Sequence, residues 1–347
     1  MVMDRNKGKD NPAPLYFQLI NRMRKDILGK LAPGAPIPSE RVLCEQFKMS
    51  RITVRKALEE LTVNGEIYKL HGKGTFKSGN TANRTRELVY VVYNTSMVGN
   101  PGNEDSLPVL AETAEERGYH LVIRGYHSIG GNAGLRDFAL RNINGGLLMS
   151  VQELTRADIL SIQQARIPCV FLNQATGYAV LSDYVAAGRL AAEWINRKKF
   201  RQTALLRPSR KLPDIRDYLT GLQETLAPEY PIAVQLETGY GRQAAAEAVK
   251  QLLDSRNPPD AVLCLDDMTA VGAIEVLTER GLRGKIPVCG MNNSYLAALM
   301  KFSSIDLGRA GRARLAANLL ADILEGKAPP PPHIVTIKPT FIEREFK

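Results

Sequence analysis

The sequence contains few of the residues that usually carry catalysis or hold metal ions. It has four histidines and four cysteines in 347 residues. Cys44, Cys169, Cys264 and Cys289 are widely spaced, and no two of them have the spacing of metal ligands. The sequence has no HExxH motif, no Cys-His pair and no Walker-type glycine loop. We therefore expect no enzyme, no metal site and no cofactor, and we interpret the cysteines as buried thiols in a reducing compartment.

Long hydrophobic runs are also absent. Hydrophobic residues make up 44% of the chain, but no stretch reaches the length of a membrane span. The sequence begins MVMDRNKGKDNPAP, which lacks the apolar core of a signal peptide. These features predict a cytoplasmic protein with no membrane partner, and the length allows two or three domains.

Basic residues clearly outnumber acidic residues only in the N-terminal part of the chain. Residues 1–86 contain 17 Lys and Arg against 8 Asp and Glu, a net charge of +9. Residues 87–347 contain 29 against 28, so nearly all of the net charge of +10 lies near the N-terminus. A localised basic excess is typical of a surface that meets phosphate groups.

Residues 38–76 have the pattern of a winged helix-turn-helix. Ser39 and Ser50 each precede apolar residues at helical spacing, as helix N-caps do. We expect the second helix to bury one set of side chains: Ile52, Val54, Ala57, Leu58 and Leu61. We expect it to expose another set: Arg51, Thr53, Arg55 and Lys56. Asn64-Gly65 is predicted to end this helix, and the glycine-rich stretch 71–74 is predicted to form the tip of a hairpin.

From Leu88 onward, β-rich runs such as LVYVVY alternate with helical patterns, including a helix predicted near 134–142. Roughly ten strand-helix steps are too many for one doubly wound sheet, so the fold class is α/β with two lobes. Small ligands bind at the carboxyl ends of strands in such folds. The predicted organisation is a disordered tail, a winged helix-turn-helix, a linker and a two-lobed ligand-binding and dimerisation domain, at residues 1–12, 13–77, 78–87 and 88–347.

Residues 14–77 resemble the GntR family of winged-helix regulators. The resemblance rests on PLYFQLINRMRKDI, PSER, SRITVRKAL and HGKGTF. Residues 87–347 are similar to the effector domain of the LacI/GalR family, which is related to periplasmic sugar-binding proteins. The matching segments are INGGLLMS, IPCVFLN, VLSDYVAAGRLAAEWI, CLDDMTAVGAIEVLTERGL, IPVCGMNNS and the C-terminal LLADILEGKAPPPPHIVTIKPTFIERE. This pairing of domains is that of the arabinose-type regulators.

The resemblance implies contacts with a double-stranded DNA operator. The implied residues are Arg41, Ser50, Arg51, Thr53 and Arg55 in the helices, and His71, Gly72 and Lys73 in the wing. A helix dipole disfavours cations at the helix N-terminus, so arginines placed there favour an external anion. We expect Arg51 or Arg55 to bind guanine edges and Arg41 to bind a phosphate. The alternatives are a solvated basic helix face and ordinary turn glycines.

The resemblance also implies effector contacts at strand ends. The matching positions are Asn94, Ser150, Asn173, Tyr240, Asp266 and Asn292, each of which has the alternative role of capping a loop. Tyr218 stands where the family usually has an arginine, with Arg216 two residues earlier, and we count both among the expected effector contacts. Asp266 and Asn292 replace the family's asparagine and acid. Asp267 is interpreted first as an N-cap and second as a ligand contact. The identity of the effector stays open between a simple sugar and a modified or differently charged small molecule.

The sequence thus predicts a ligand-responsive transcription regulator, a repressor of carbohydrate-utilisation genes that binds a two-fold operator as a homodimer. It does not decide whether the ligand induces or co-represses. Two alternatives stay open: a sugar-binding transport component, and a DNA-binding protein whose cleft is vestigial.

Overall fold

The residues that the structure describes form two compact units, one before and one after the boundary between residues 86 and 87. The computed structural model describes residues 15–63, 66–70, 73–78, 87–93, 95, 106–129, 131, 145–152, 154–164, 167–208, 212–239 and 241–344. The predicted tail, most of the linker, the helix predicted near 134–142 and the Asn64-Gly65 helix end lie outside these residues.

The first unit is a small helical domain with a β-hairpin. Its elements are α1 (Leu15–Met23), a π-helical turn (Arg24–Leu28), α2 (Glu40–Phe47), α3 (Arg51–Val63), β1 (Ile67–Leu70) and β2 (Gly74–Lys77). The two strands pair antiparallel, with Leu70 opposite Gly74. Ser39 caps α2 by accepting a hydrogen bond from the Val42 N–H, as its position before the apolar residues predicts.

The core of the first unit confirms four of the five predicted buried positions in α3. Val54, Ala57, Leu58 and Leu61 pack with apolar residues of α1, α2 and β1, and we call these four residues the buried face of α3. The prediction for Ile52 is wrong, because its side chain is 82% exposed. Ile52 lies two residues before Val54, which is about 200° of rotation around the helix, so its side chain points away from that face.

The second unit alternates strands and helices. Its strands are β3 (Glu87–Val92), β4 (His120–Gly125), β5 (Gly146–Ser150), β6 (Cys169–Phe171), β7 (Tyr178–Ser182), β8 (Thr203–Arg207), β9 (Ile232–Glu237), β10 (Ala261–Cys264), β11 (Val288–Met291), β12 (Ser303–Asp306), β13 (His333–Ile337) and β14 (Thr340–Ile342). Its helices are α4 (Ser106–Glu116), α5 (Arg156–Gln164), α6 (Tyr184–Lys198), α7 (Pro213–Thr225), α8 (Arg242–Leu253), α9 (Asp267–Glu279), α10 (Tyr295–Leu299) and α11 (Arg309–Leu324).

The strands form two six-stranded sheets, and each sheet is the centre of one lobe. The first sheet has the order β13-β7-β6-β5-β3-β4 and is parallel throughout. The second has the order β14-β12-β11-β10-β8-β9 and is parallel except for its edge strand β14. The chain passes from one lobe to the other after β7, after β12 and after β13, so the C-terminal strands β13 and β14 belong to different sheets.

The two lobes have separate cores. In the first lobe α4 and α11 pack against one face of the sheet, and in the second α6 and α7 cover one face while α8 and α9 cover the other. The predicted two-lobed α/β fold is confirmed, although β7, α10 and β12 were missing from the sequence prediction. Cys169, Cys264 and Cys289 are buried as expected, whereas Cys44 is half-buried.

Helices α6 and α7 approach each other so closely that only glycine fits at two positions. A Cβ atom at Gly188 would lie 2.0 Å from the Tyr218 carbonyl oxygen, and one at Gly221 would lie 1.9 Å from the Val185 carbonyl oxygen. Both obstacles are backbone atoms, which yield less easily than the end of a flexible side chain.

We expect Gly221→Ala to lower the free energy of unfolding by on the order of 1–3 kcal/mol, because it forces two packed helices apart. Gly311→Ala is the matched control, since a Cβ there meets open space on α11. Alanine should stabilise that helix by up to about 1 kcal/mol. Urea unfolding of the two variants measures this contrast, and equal midpoints would contradict the close approach.

Candidate nucleic-acid interface and ligand cleft

The N-terminal half of α3 presents a basic surface. Arg51, Arg55 and Lys56 are all exposed there. The Arg51 Nε lies 3.4 Å and the Arg55 Nη2 lies 3.9 Å from the same carboxylate oxygen, Oε2 of Glu40. Glu40, which the sequence analysis missed, therefore draws both guanidinium groups toward the start of α2. Exposed ion pairs of this length are weak, so the arginines remain available to a stronger anion.

Three other predicted DNA contacts have partners of their own. The Ser50 hydroxyl accepts a hydrogen bond from the Thr53 N–H at 3.2 Å and lies 2.8 Å from the Thr53 hydroxyl. Ser50 thus caps α3, and this capping fixes the N-terminal turn that carries Arg51. Arg41 is exposed and pairs with Glu45 one helical turn later at 3.0 Å.

The hairpin has the shape of a wing. Tyr68 and Phe76 stack across its two strands with ring centroids 5.7 Å apart. Arg24 joins it to the helices through an ion pair of 2.7 Å with the buried Glu66. Lys73 is exposed at the tip, whereas the other two predicted wing contacts, His71 and Gly72, lie outside the described residues.

In the second unit, four of the predicted effector residues follow parallel strands at their carboxyl ends. Ser150 ends β5, Asn173 follows β6, Asp266 follows β10 and Asn292 follows β11. The first two belong to the first lobe and the last two to the second. Two further predicted contacts, Asn94 and Tyr240, lie outside the described residues.

Two of these side chains carry buried polar atoms without a partner. The Oδ1 atoms of Asn173 and Asn292 are buried and accept no hydrogen bond from the described residues. Buried polar atoms are normally paired. Asn292 also has a φ of 104°, a strained conformation for a residue other than glycine. Unpaired amides and backbone strain at strand ends are typical of a binding site.

Asp214, in the first turn of α7, connects the two lobes and was not predicted. Its Oδ2 atom accepts hydrogen bonds from Gln152 Nε2 at 3.1 Å and Asn173 Nδ2 at 3.5 Å, both from the first lobe. Burial raises the pKa of Asp214, and the hydrogen bond from Gln152 opposes that rise. The sequence patterns did not predict Asp214 as a cleft residue, because it belongs to no recognised motif and a loop separates it from the end of β8.

A buried arginine lies beside this carboxyl group. Arg312 of α11 is 8% exposed, and its Nη1 atom is 3.4 Å from the Leu172 carbonyl oxygen. Burial lowers the pKa of Arg312, and the charge of Arg309 lowers it further. Burial also raises the pKa of Tyr184, which interacts with Asp214 and with both arginines. The cleft therefore holds charged groups of both signs.

Three expectations for the second lobe require correction. Tyr218, on α7, is 1% exposed and packs in the core that α6 and α7 form with the sheet, so it does not reach the cleft. Arg216 is exposed on the outer side of α7. Asp266, not Asp267, caps α9 by accepting from the Thr269 N–H at 2.9 Å.

Asp267 instead holds the loop that carries Asn292. It is 1% exposed and accepts hydrogen bonds from the Ser294 N–H at 2.6 Å and the Ser304 hydroxyl at 2.8 Å. These bonds fix the segment directly after β11, and with it the strained backbone of Asn292. Asp267 is thus a positioning residue for the cleft.

Comparison with known proteins agrees with this architecture. Residues 15–76 match the model of bacterial regulatory proteins of the gntR family, and residues 192–345 match that of a periplasmic binding protein-like domain. The chain therefore combines a gntR-type helix-turn-helix with a periplasmic-binding-protein-like domain, as predicted.

The chain is homologous to the arabinose metabolism transcriptional repressor of Geobacillus stearothermophilus. The two are 24% identical over 342 residues, covering 92% of this chain and 94% of that repressor. The transcriptional repressor NagR of Bacillus subtilis is 46% identical over 74 residues, which is 21% of this chain and only 30% of NagR. That second similarity is limited to less than a quarter of the chain.

Solved structures share the fold of the second unit. A LacI family transcriptional regulator from Enterococcus faecium with bound ribose superposes with a TM-score of 0.64 at 17% identity, covering 75% of this chain and 98% of that one. In the part of the chain that the structure describes, no helix is long and apolar enough to cross a membrane.

The buried carboxyl group of Asp267 predicts a pH dependence of stability. Burial raises its pKa from 3.8 to about 6, against the opposing hydrogen bond from Ser294. Because the folded pKa exceeds the unfolded one, the protonated form stabilises the fold. Between pH 4 and pH 6 this group should lower the free energy of unfolding by up to about 3 kcal/mol.

Asp267→Asn removes this titration while it keeps a hydrogen-bonding side chain. Urea unfolding of both proteins from pH 4 to pH 7 should show the wild type losing stability relative to the variant as the pH rises. Parallel stability profiles for the two proteins would contradict the raised pKa.

Proposed function

We propose that the protein is a transcription repressor of carbohydrate-utilisation genes, acting in the cytoplasm, whose affinity for its operator changes when a small polyhydroxy compound binds in the cleft. The observation that carries the DNA-binding part is the exposed basic start of α3, with Arg51 and Arg55 held by long ion pairs to a shared Glu40. Arginine binds guanine edges through two parallel hydrogen bonds, and the N-terminal turns of a recognition helix supply such contacts.

Operator binding requires two copies of the chain. One winged helix-turn-helix reads a half-site, and two-fold operators match two-fold dimers. The second lobe offers an apolar surface for a second copy, because α10 exposes Tyr295 by 57% and Leu299 by 71%. Exposed apolar patches of this kind are typical of contact surfaces.

We expect Arg51→Ala and Arg55→Ala each to weaken binding by about 5- to 150-fold per half-site, the equivalent of ~1–3 kcal/mol for each lost guanine contact. The measurement is a titration of the full-length protein against duplexes selected from a random pool, with two chains bound per duplex. Arg189→Ala, which removes an exposed arginine of the second unit, is the control. Undiminished binding by both α3 variants would contradict the recognition-helix assignment.

The effector part of the proposal is supported by the two unpaired asparagine oxygens and by the related proteins. Amide, carboxylate and guanidinium groups converge from both lobes, and such groups hydrogen-bond to polyol hydroxyls. A ligand that bridges the lobes stabilises the arrangement that it fits best, and linkage makes its effect on DNA affinity reciprocal.

A thermal-shift panel of neutral sugars, sugar acids and sugar phosphates tests this part. At a hundredfold excess over its Kd, a ligand adds about 2.7 kcal/mol to the free energy of unfolding. Asn173→Ala and Asn292→Gly should abolish the shift of an active compound, and glycine is chosen at 292 because it tolerates the positive φ. Asn257→Ala, at an exposed position, should retain it.

If no compound in the panel raises the melting temperature or alters operator release, the alternative of a DNA-binding protein with a vestigial cleft is favoured. The helix-turn-helix unit speaks against the other alternative, a transport component. A saturable shift in the wild type that is lost in both asparagine variants would support the effector-gated repressor.

A further inference from the structure

In the N-terminal half of α3, the side chain that points most directly away from the buried face is apolar. At about 100° of rotation per residue, Ile52 projects about 170° from the mean direction of the buried face of α3. Its side chain is 82% exposed. Arg55, Lys56 and Glu59, also exposed, surround it on the same side of the helix.

This position is where a recognition helix meets base edges. Ile52 is the second residue of α3, whose N-terminal cap is fixed by Ser50, and the N-terminal residues of a recognition helix enter the major groove. The basic neighbours Arg55 and Lys56 are suited to phosphates and polar base edges, but Ile52 offers only methyl and methylene groups. In the major groove, the C5-methyl group of thymine is the apolar feature that distinguishes one base from the others.

We propose that Ile52 is a specificity-determining residue that reads the methyl group of a thymine in each half-site of the operator. This inference rests on the proposed DNA-binding function and names the base that the N-terminal turn of α3 selects. A β-branched side chain is stiff at χ1, so Ile52 presents its methyl groups in one orientation and loses little freedom on contact. The flanking arginines then read neighbouring guanines.

Replacing thymine by deoxyuridine tests the contact, because it removes the methyl group and preserves base pairing. A duplex selected by the wild-type protein is substituted at one thymine pair per half-site at a time, and the Kd is measured for each duplex. One position should weaken wild-type binding by about three- to fivefold per half-site, the value expected for one buried methyl group. Other thymines should have little effect.

The variants make the assignment specific to this residue. Ile52→Ala should bind the parent duplex more weakly and be insensitive to deoxyuridine at that position, whereas Ile52→Val should keep most of the sensitivity. Val42→Ala shortens another exposed apolar residue, on α2, and should respond as the wild type does. Because Ile52 is exposed, the melting temperature of Ile52→Ala should match that of the wild type.

Three results would overturn the inference. They are a selected site without thymine, wild-type binding that no deoxyuridine weakens, and an Ile52→Ala variant that keeps the sensitivity of the wild type. In the last case Ile52 faces something other than a thymine methyl group, such as a partner protein. Failure of the wild type to select any duplex would instead contradict the proposed function itself.

Discussion

The second unit depends on one constraint: three passages of the chain between its sheets are hydrogen-bonded to one another. The Asp183 N–H donates to the Ile337 carbonyl at 2.9 Å, and the Ser182 hydroxyl donates to the Leu307 carbonyl at 3.0 Å. Gly308 completes the junction with a φ of 65°, and a Cβ there would lie 2.5 Å from the Ile337 side chain. Any change in the relative orientation of the two lobes must therefore come from backbone rotations in these short segments, as in hinge motions.

This junction explains why the cleft is assembled from both lobes. Parallel strands direct their carboxyl ends to one edge of each sheet, and Gln152 and Asn173 of the first lobe reach Asp214 of the second. The Oδ1 atoms of Asn173 and Asn292 accept no hydrogen bond from the residues that the structure describes, and a ligand that pairs with both would contact the two lobes at once. Ligand binding and lobe arrangement then become one equilibrium, which is what a regulator requires of its sensor.

Periodicity and composition predicted the winged helix-turn-helix, both α/β lobes and the strand ends that carry Asn173 and Asn292, because these features repeat locally in the sequence. Residues whose roles depend on distant packing were not predictable. Asp214 reaches the cleft only through the placement of α7, and Tyr218 enters the core because Gly188 and Gly221 bring two helices together. Asp267 was assigned the cap that Asp266 forms, because two adjacent carboxylates are equally good caps until the next loop is placed.

Ile52 shows how one such error is informative. Apolar character predicted burial, yet the buried face of α3 is complete without it, so its hydrophobicity is not used in the fold. Glu40 lies near Arg51 and Arg55, two cations that the dipole at the start of a helix disfavours. In the proposed complex, a guanine or a phosphate has to compete with the Glu40 carboxylate for them. The carboxylate of Glu40 therefore partly neutralises the basic surface of α3. In the proposed complex with DNA, selectivity between bases depends less on total charge than on which groups face the groove, and Ile52 presents a hydrocarbon side chain to it.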